Sequence, residues 1–141
     1  MSIEKKRMDV VCGIIVENGK VLAARRGPDA NRAGKWEFPG GKVKRDENPA
    51  HAIVREIREE LDLSVSVVRK LPVLTHHYPD VIIRLIPFIC EIMDGNIHLT
   101  DHDAYAWIPE NSIFQYDWSE ADRDLVILIW NSTKHPDDPI V

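Results

Sequence analysis

Glu56, Glu59 and Glu60 stand at spacings i, i+3 and i+4 in this 141-residue chain. On an α-helix those spacings place three carboxylates on one face. Like charges so placed cost about 0.2–0.5 kcal/mol per pair, a cost that a bound cation reverses. Converging carboxylates are hard oxygen ligands. They suit Mg²⁺ or Mn²⁺, with substrate phosphates completing the shell. The plain alternative is a solvated helix face on which Arg55 and Arg58 neutralise the glutamates.

A helix is what the surrounding residues predict. Asn48 followed by Pro49 reads as an N-cap and a first helical position. Ile53, Ile57 and Leu61 recur at four-residue spacing, with Val54 three before Ile57, and form an apolar stripe that must pack on a core. Upstream, Gly40-Gly41 permits tight turning and close backbone approach to a ligand, or simply makes a turn.

Gly41, Glu47 and Arg55-Glu56-Ile57-Arg58-Glu59-Glu60, separated by five and then seven residues, resemble the Nudix box. The resemblance covers residues 8 to 130. It implies an α/β/α sandwich with a mixed central β-sheet, and hydrolysis of a nucleoside diphosphate linked to another group. It further implies Mg²⁺, with Mn²⁺ as a substitute, held by Glu56, Glu59, Glu60 and the Gly40 carbonyl. Arg55 is implied to orient a catalytic glutamate by a bidentate pair rather than touch substrate, and Glu47 to secure the loop–helix junction. One position departs: Asp62 stands where the family has a glycine that caps the helix in the left-handed conformation. Asp tolerates that conformation better than most residues.

Within the family the chain is similar to the MutT and CTP pyrophosphohydrolase branch, on Arg25-Arg26 and on Trp36-Glu37-Phe38-Pro39-Gly40-Gly41-Lys42. That likeness places Arg26 and Lys42 at phosphates and Glu37 and Phe38 at substrate. Phe38, Tyr78 and Trp118 are stacking candidates, each reading equally as ordinary core. Asp101, six residues before Trp107, falls where the branch has a catalytic or metal-associated Glu; a plain loop carboxylate is the alternative. Asp122 falls where CTP-type members have Asp and the readers of oxidised guanine have Asn. An ionised Asp only accepts hydrogen bonds, which suits cytosine N4. The alternative is a first-turn Asp favouring the helix dipole. The implied reaction converts a nucleoside triphosphate, CTP or a modified dCTP first, to monophosphate and pyrophosphate. An 8-oxo-dGTP sanitiser and a non-catalytic nucleotide sensor are the competing readings.

The rest of the chain must position these residues. At this length one domain with a sizeable core is expected. A net charge of −5 argues against duplex nucleic acid as a partner. No signal pattern or membrane-length apolar run is present, so the expected location is the cytoplasm, as a monomer or small homo-oligomer. Cys12 and Cys90 sit in apolar runs and are expected buried and reduced. Val10 to Val16 and Val21 to Arg26 read as strands joined by a hairpin at Asn18-Gly19. Gly27 to Lys35 reads as a loop. Ser64 to Thr75 and Val81 to Met93 read as strands separated by His76 to Asp80. Asp94-Gly95-Asn96 reads as a turn. Ile97 to Leu99 and Ala104 to Ile108 read as short strands about a loop at Thr100 to Asp103. His76, His77 and His102 fit no zinc spacing and read as solvated or structural. Ser119 begins a final helix with a stripe around Leu125 and Ile129. Residues 1 to 7 and 132 to 141 are expected to be loose.

Overall fold

The computed structural model describes residues 5–133. β1 (Lys6–Glu17) and β2 (Lys20–Arg26) are joined by the Asn18-Gly19 hairpin, both residues at positive φ (53° and 73°). Then come β3 (Trp36–Glu37), β4 (Gly40–Lys42), α1 (Pro49–Leu61), β5 (Ser64–Lys70), β6 (Leu74–His77), β7 (Val81–Asp94) and β8 (His102–Pro109). A 3₁₀ turn at Glu110–Gln115 leads to α2 (Glu120–Thr133).

The sheet is mixed. β1 runs parallel to β7, pairing Lys6 through Ile15 with Val81 through Cys90, while the β2, β4, β5, β6 and β8 pairings are antiparallel. Strand alternation divides the core into two layers. Val11 and Ile15 of β1, Leu22 of β2, and Ile86, Phe88 and Cys90 of β7 pack with Ala52, Ile53, Ile57 and Leu61 of α1. Cys12, Ile14, Val21, Ala23, Leu85 and Ile89 turn the other way, to Leu125, Val126 and Ile129 of α2. Gly13 lies on the α1 face, where a Cβ would come within 2.7 Å of the Ile57 side chain, so its glycine lets α1 approach the sheet. Both cysteines are buried and free.

Several sequence expectations are corrected. The strand from Ser64 to Thr75 is broken at Leu71–Val73, because Pro72 has no N–H to continue the ladder. β6 therefore takes in His76 and His77, which pair with Ile83 and Ile82. Ile97 to Leu99 is not a strand. His98 and Thr100 donate their N–H groups to the carbonyls of Leu61 and Glu60, and the Thr100 hydroxyl donates to that of Glu59. The segment thus satisfies the carbonyls at the end of α1 instead of joining the sheet. β8 begins at His102, earlier than Ala104, and α2 includes residues 132 and 133. Of the two readings of the N-terminal residues, a loose lead-in or a short extension of the first strand, Lys6 and Arg7 take the second, being held by β7. The expectations for residues 1–4 and 134–141 lie outside the described residues. Among the described residues no helix is long and apolar enough to cross a membrane.

Candidate active site

α1 is anchored at both ends by its own sequence. The Asn48 side chain accepts from the Ala50 N–H (2.8 Å), and Asp62 closes the helix at φ 59°, ψ 30°, its N–H bonded to the Arg58 carbonyl. With the apolar stripe buried, the carboxylate face turns to the β3–β4 segment. Gly41 passes over Glu56 so closely that a Cβ there would collide with the carboxylate. Gly40 likewise has β1 backbone where a Cβ would be, and its N–H donates to Glu60.

Arg55 organises the acidic residues. Its Nε and one terminal nitrogen bond the two oxygens of Glu47 at 2.7 and 2.9 Å, a bidentate pair. The other terminal nitrogen reaches Glu56 (2.9 Å) and Glu59 (3.1 Å). The hydrogen bonds from Arg55 and from the Lys44 N–H hold Glu47 down at about 2. The forked pair thus goes to the junction glutamate, and the helix glutamates receive single bonds.

Glu60 is different. Burial, and then the charges of Glu37 and Glu56, push it up to about 9. Its Oε2 is buried without a hydrogen-bond partner. An orphaned carboxylate oxygen beside two further carboxylates fits a divalent cation, which would relieve the repulsion that keeps the proton on. Glu56 and Glu60 are the carboxylates that could hold it, while the Glu59 side chain is 55 % exposed. Among the described residues no three His, Cys, Asp or Glu side chains close into a cage. A hard cation that keeps waters and takes phosphate oxygens needs none.

Two cavities share the Arg26–Glu37 region, and the first reaches this helix at Glu60. One, about 530 Å³, is lined by Arg26, Glu37, Glu60, Asp101, His102 and the 27–30 loop. The other, about 750 Å³, shares Arg26 and Glu37 and continues past Lys42 to Tyr78 and Asp122. Arg26 and Glu37 form the shared wall through a 2.8 Å ion pair. Of the residues singled out in the sequence, Glu60 and Asp101 line the first cavity, Lys42 and Asp122 the second, and Arg26 and Glu37 both. Asp101 is exposed in the first.

Phe38 is corrected as a stacking residue. It is 2 % exposed, and its ring stacks on Trp118 inside the core. Its backbone matters instead: the Phe38 N–H donates to Asp122 Oδ1 at 3.1 Å. The Ser119 hydroxyl bonds the other Asp122 oxygen. Burial, and then the charge of Glu37, nevertheless push Asp122 up to about 7. Trp118 is core. Tyr78 lines the second cavity with the Arg32 guanidinium 4.0 Å from its ring centre and its hydroxyl accepting from the Ala121 N–H. His76 lies beside Glu120 and Asp124 of α2. His102 belongs to the site. Its Nε2 is 2.8 Å from Glu37 Oε2, a contact that no local spacing could reveal, since Glu37, Glu60 and His102 come from β3, α1 and β8.

A mixed sheet between two helices carries an acidic helix face beside a cavity rimmed by Arg26 and Lys42, an arrangement that suits a hydrolase handling nucleotides. A family model for the NUDIX domain matches residues 5–129, and the chain belongs to the Nudix family as a pyrophosphohydrolase enzyme. The CTP pyrophosphohydrolase of Escherichia coli K12 is 35 % identical over 121 residues, 86 % of this chain and 90 % of that protein. The 8-oxo-dGTP diphosphatase of the same organism is 36 % identical over 91 residues, 64 % of this chain and 70 % of that protein. The crystal structure of a MutT protein from Methanosarcina mazei Go1 superposes with a TM-score of 0.84 at 25 % identity, covering 95 % of this chain and 99 % of that one.

Proposed function

We propose that the chain is a Mg²⁺-dependent nucleoside triphosphate pyrophosphohydrolase that converts CTP or a modified dCTP to the monophosphate and pyrophosphate. The observation that carries the reading is the shared Arg26–Glu37 wall. It stands between a cavity lined by Glu60 and one lined by Asp122, which supports a reading with the triphosphate on one side and the base on the other. The 35 % identity to a CTP pyrophosphohydrolase supports the same substrate.

Glu56, Glu59, Glu60 and the Gly40 carbonyl would hold the cation. When bound, Mg²⁺ screens phosphate charge and activates water for attack. Arg55 fixes the carboxylates of Glu56 and Glu59, so less is lost in ordering them when substrate arrives. Arg26 and Lys42 present positive charge to the phosphates. Asp101, exposed in the cavity that Glu60 lines, would act on the same water or the same cation. Asp122 reads the base edge at the far end.

A second reading draws on the same residue. Raised to about 7, Asp122 carries a proton in part of the population at neutral pH and then donates as well as accepts. Such a group also suits the edge of an oxidised purine, which supports 8-oxo-dGTP as an alternative substrate. The test is kcat/KM for a panel of natural and oxidised triphosphates, with pyrophosphate and orthophosphate measured separately. CTP or a modified dCTP leading the panel, with pyrophosphate released, is the expected result. Preference for 8-oxo-dGTP selects the second reading, and no turnover of any triphosphate rejects both.

A further inference from the structure

Ser119 stands at the N-cap of α2, and Asp122 follows three residues later in its first turn. At those positions a serine ordinarily accepts from a helix N–H, and an acidic residue reaches back to the N-cap N–H. Here other elements have claimed two of the donors. The Ser119 N–H goes to the Trp36 carbonyl of β3 at 2.9 Å. The Ala121 N–H goes to the Tyr78 hydroxyl at 3.1 Å. The Ser119 hydroxyl donates instead to Asp122 Oδ2, and the Phe38 N–H holds Asp122 Oδ1 at 3.1 Å. Ser119 is 4 % exposed, Asp122 is 7 % exposed, and both line the second cavity.

A carboxylate gripped at both oxygens is fixed in one orientation, and each oxygen keeps a lone pair for a ligand. Donors to a carboxylate also favour its charged form. Burial and the charge of Glu37 on β3 work against that form, while Ser119, Phe38 and the charge of Arg26 on β2 support it. The Cys12 thiol of β1 faces Asp122 as well, raised first by its own burial and then by the Asp122 charge. Lys6, Arg32, Lys42, Tyr78 and Asp80 are further titratable groups lining the same cavity.

We propose that Ser119 is a positioning residue for base recognition: with the helix donors taken by Trp36 and Tyr78, its hydroxyl holds the Asp122 carboxylate, against the Phe38 N–H, as a fixed acceptor for an amino group on the base. The ligand class is a base with an exocyclic amine, which cytosine carries and uracil lacks. The proposal rests on reading Asp122 as the group that meets the base.

Glycine caps a helix nearly as well as serine but has no hydroxyl. Ser119→Gly therefore removes the donor and spares the helix, while Ser119→Thr keeps the donor. Carboxyl ¹³C NMR should show Asp122 titrating about one pH unit or more higher in Ser119→Gly than in wild type, and close to wild type in Ser119→Thr. At pH 7 the CTP:UTP ratio of kcat/KM should fall about threefold or more in Ser119→Gly and recover as pH is raised. A serine that serves only the helix would change the melting temperature and leave both readouts alone. An unchanged Asp122 titration in Ser119→Gly, or a Ser119→Thr protein no nearer wild type than Ser119→Gly, overturns the proposal. Should the variants fail to fold, the wild-type Ser119 Cβ signal decides. It should move with the Asp122 carboxyl through its titration, and a signal that ignores the carboxyl overturns the proposal. A wild-type protein that treats CTP and UTP alike, with the Asp122 titration shifted in Ser119→Gly as expected, rejects the base reading and leaves the hold of Ser119 on Asp122 standing.

Discussion

Arg55 grips Glu47 with two parallel hydrogen bonds across the loop–helix junction and reaches Glu56 and Glu59 with the nitrogen left over. One guanidinium thus ties the entry of α1 to its acidic face. Lys has no fork and cannot serve three carboxylates in these directions. Arg55→Lys is expected to lower kcat/KM about tenfold or more while thermal melts stay cooperative. An unchanged kcat/KM in a folded Arg55→Lys protein rejects this role.

Glu47 sets an acid-side dependence. Its folded value is below its ordinary one, so its stabilisation is present above the ordinary carboxylate range and lost as pH falls toward about 2. Glu47→Gln should therefore lose less stability than wild type between pH 5 and pH 2. Denaturant midpoints measured across that range check it.

Glu60 acts with the opposite sign. Its folded value is raised, so the folded state holds a proton that the unfolded state has released. That contribution is complete below about 4.5 and is lost as pH rises through about 9. Metal-free protein should melt at falling temperature from pH 5 to pH 9, and Glu60→Gln should melt at a temperature less dependent on pH. Glu60→Gln and Glu59→Gln should both lose most activity and most of the stabilisation by Mg²⁺, while metal-free stability holds or rises. Melting curves in chelator and in Mg²⁺ test this, and wild-type turnover with an unchanged metal response would overturn the assignment.

Asp62 occupies a left-handed position at φ 59° with a Cβ. Its contacts to Arg58 (3.8 Å) and His98 (3.3 Å) are at exposed side chains and contribute little. Asp62→Gly should leave stability unchanged or raise it by up to about 1 kcal/mol. Equilibrium unfolding is the measurement, and a loss of that size counts against cap strain.

Asp122 should make base choice depend on pH. Above about 7 it is ionised and only accepts, which favours cytosine. Below that it can donate to the uracil carbonyl, so the CTP:UTP ratio of kcat/KM should shrink as pH falls. An unmade buried hydrogen bond costs about 1–3 kcal/mol, which sets the high-pH ratio at about 10- to 100-fold or more. Asp122→Asn should narrow the ratio and flatten its pH dependence. Identical ratios in the two proteins at every pH remove Asp122 from base recognition.

The local chemistry of α1 was legible in the sequence. Asn48, Pro49 and the stripe through Ile53, Ile57 and Leu61 each follow from backbone preference and helical period, which act over a few residues, while the positive φ of Asp62 followed from its place at the family's glycine position. The Asn18-Gly19 hairpin follows for the same reason. Strand alternation in β2 likewise separates Val21 and Ala23 from Leu22, which turn to opposite layers. What spacing left open were meetings across the sheet. Ile97 to Leu99 has strand-like residues, yet the unpaired carbonyls ending α1 claimed the neighbouring N–H groups of His98 and Thr100. Phe38 belongs to a site motif, but its ring went to the core against Trp118 and only its N–H serves Asp122. His102 carried no local signal. Its place between Glu37 and Glu60 exists because β2 pairs with β3 on one side and β8 on the other, above the helix that carries Glu60. The shifted protonation of Glu60 and Asp122 has the same origin, since desolvation and neighbouring charge arise only when separate elements close around a carboxylate.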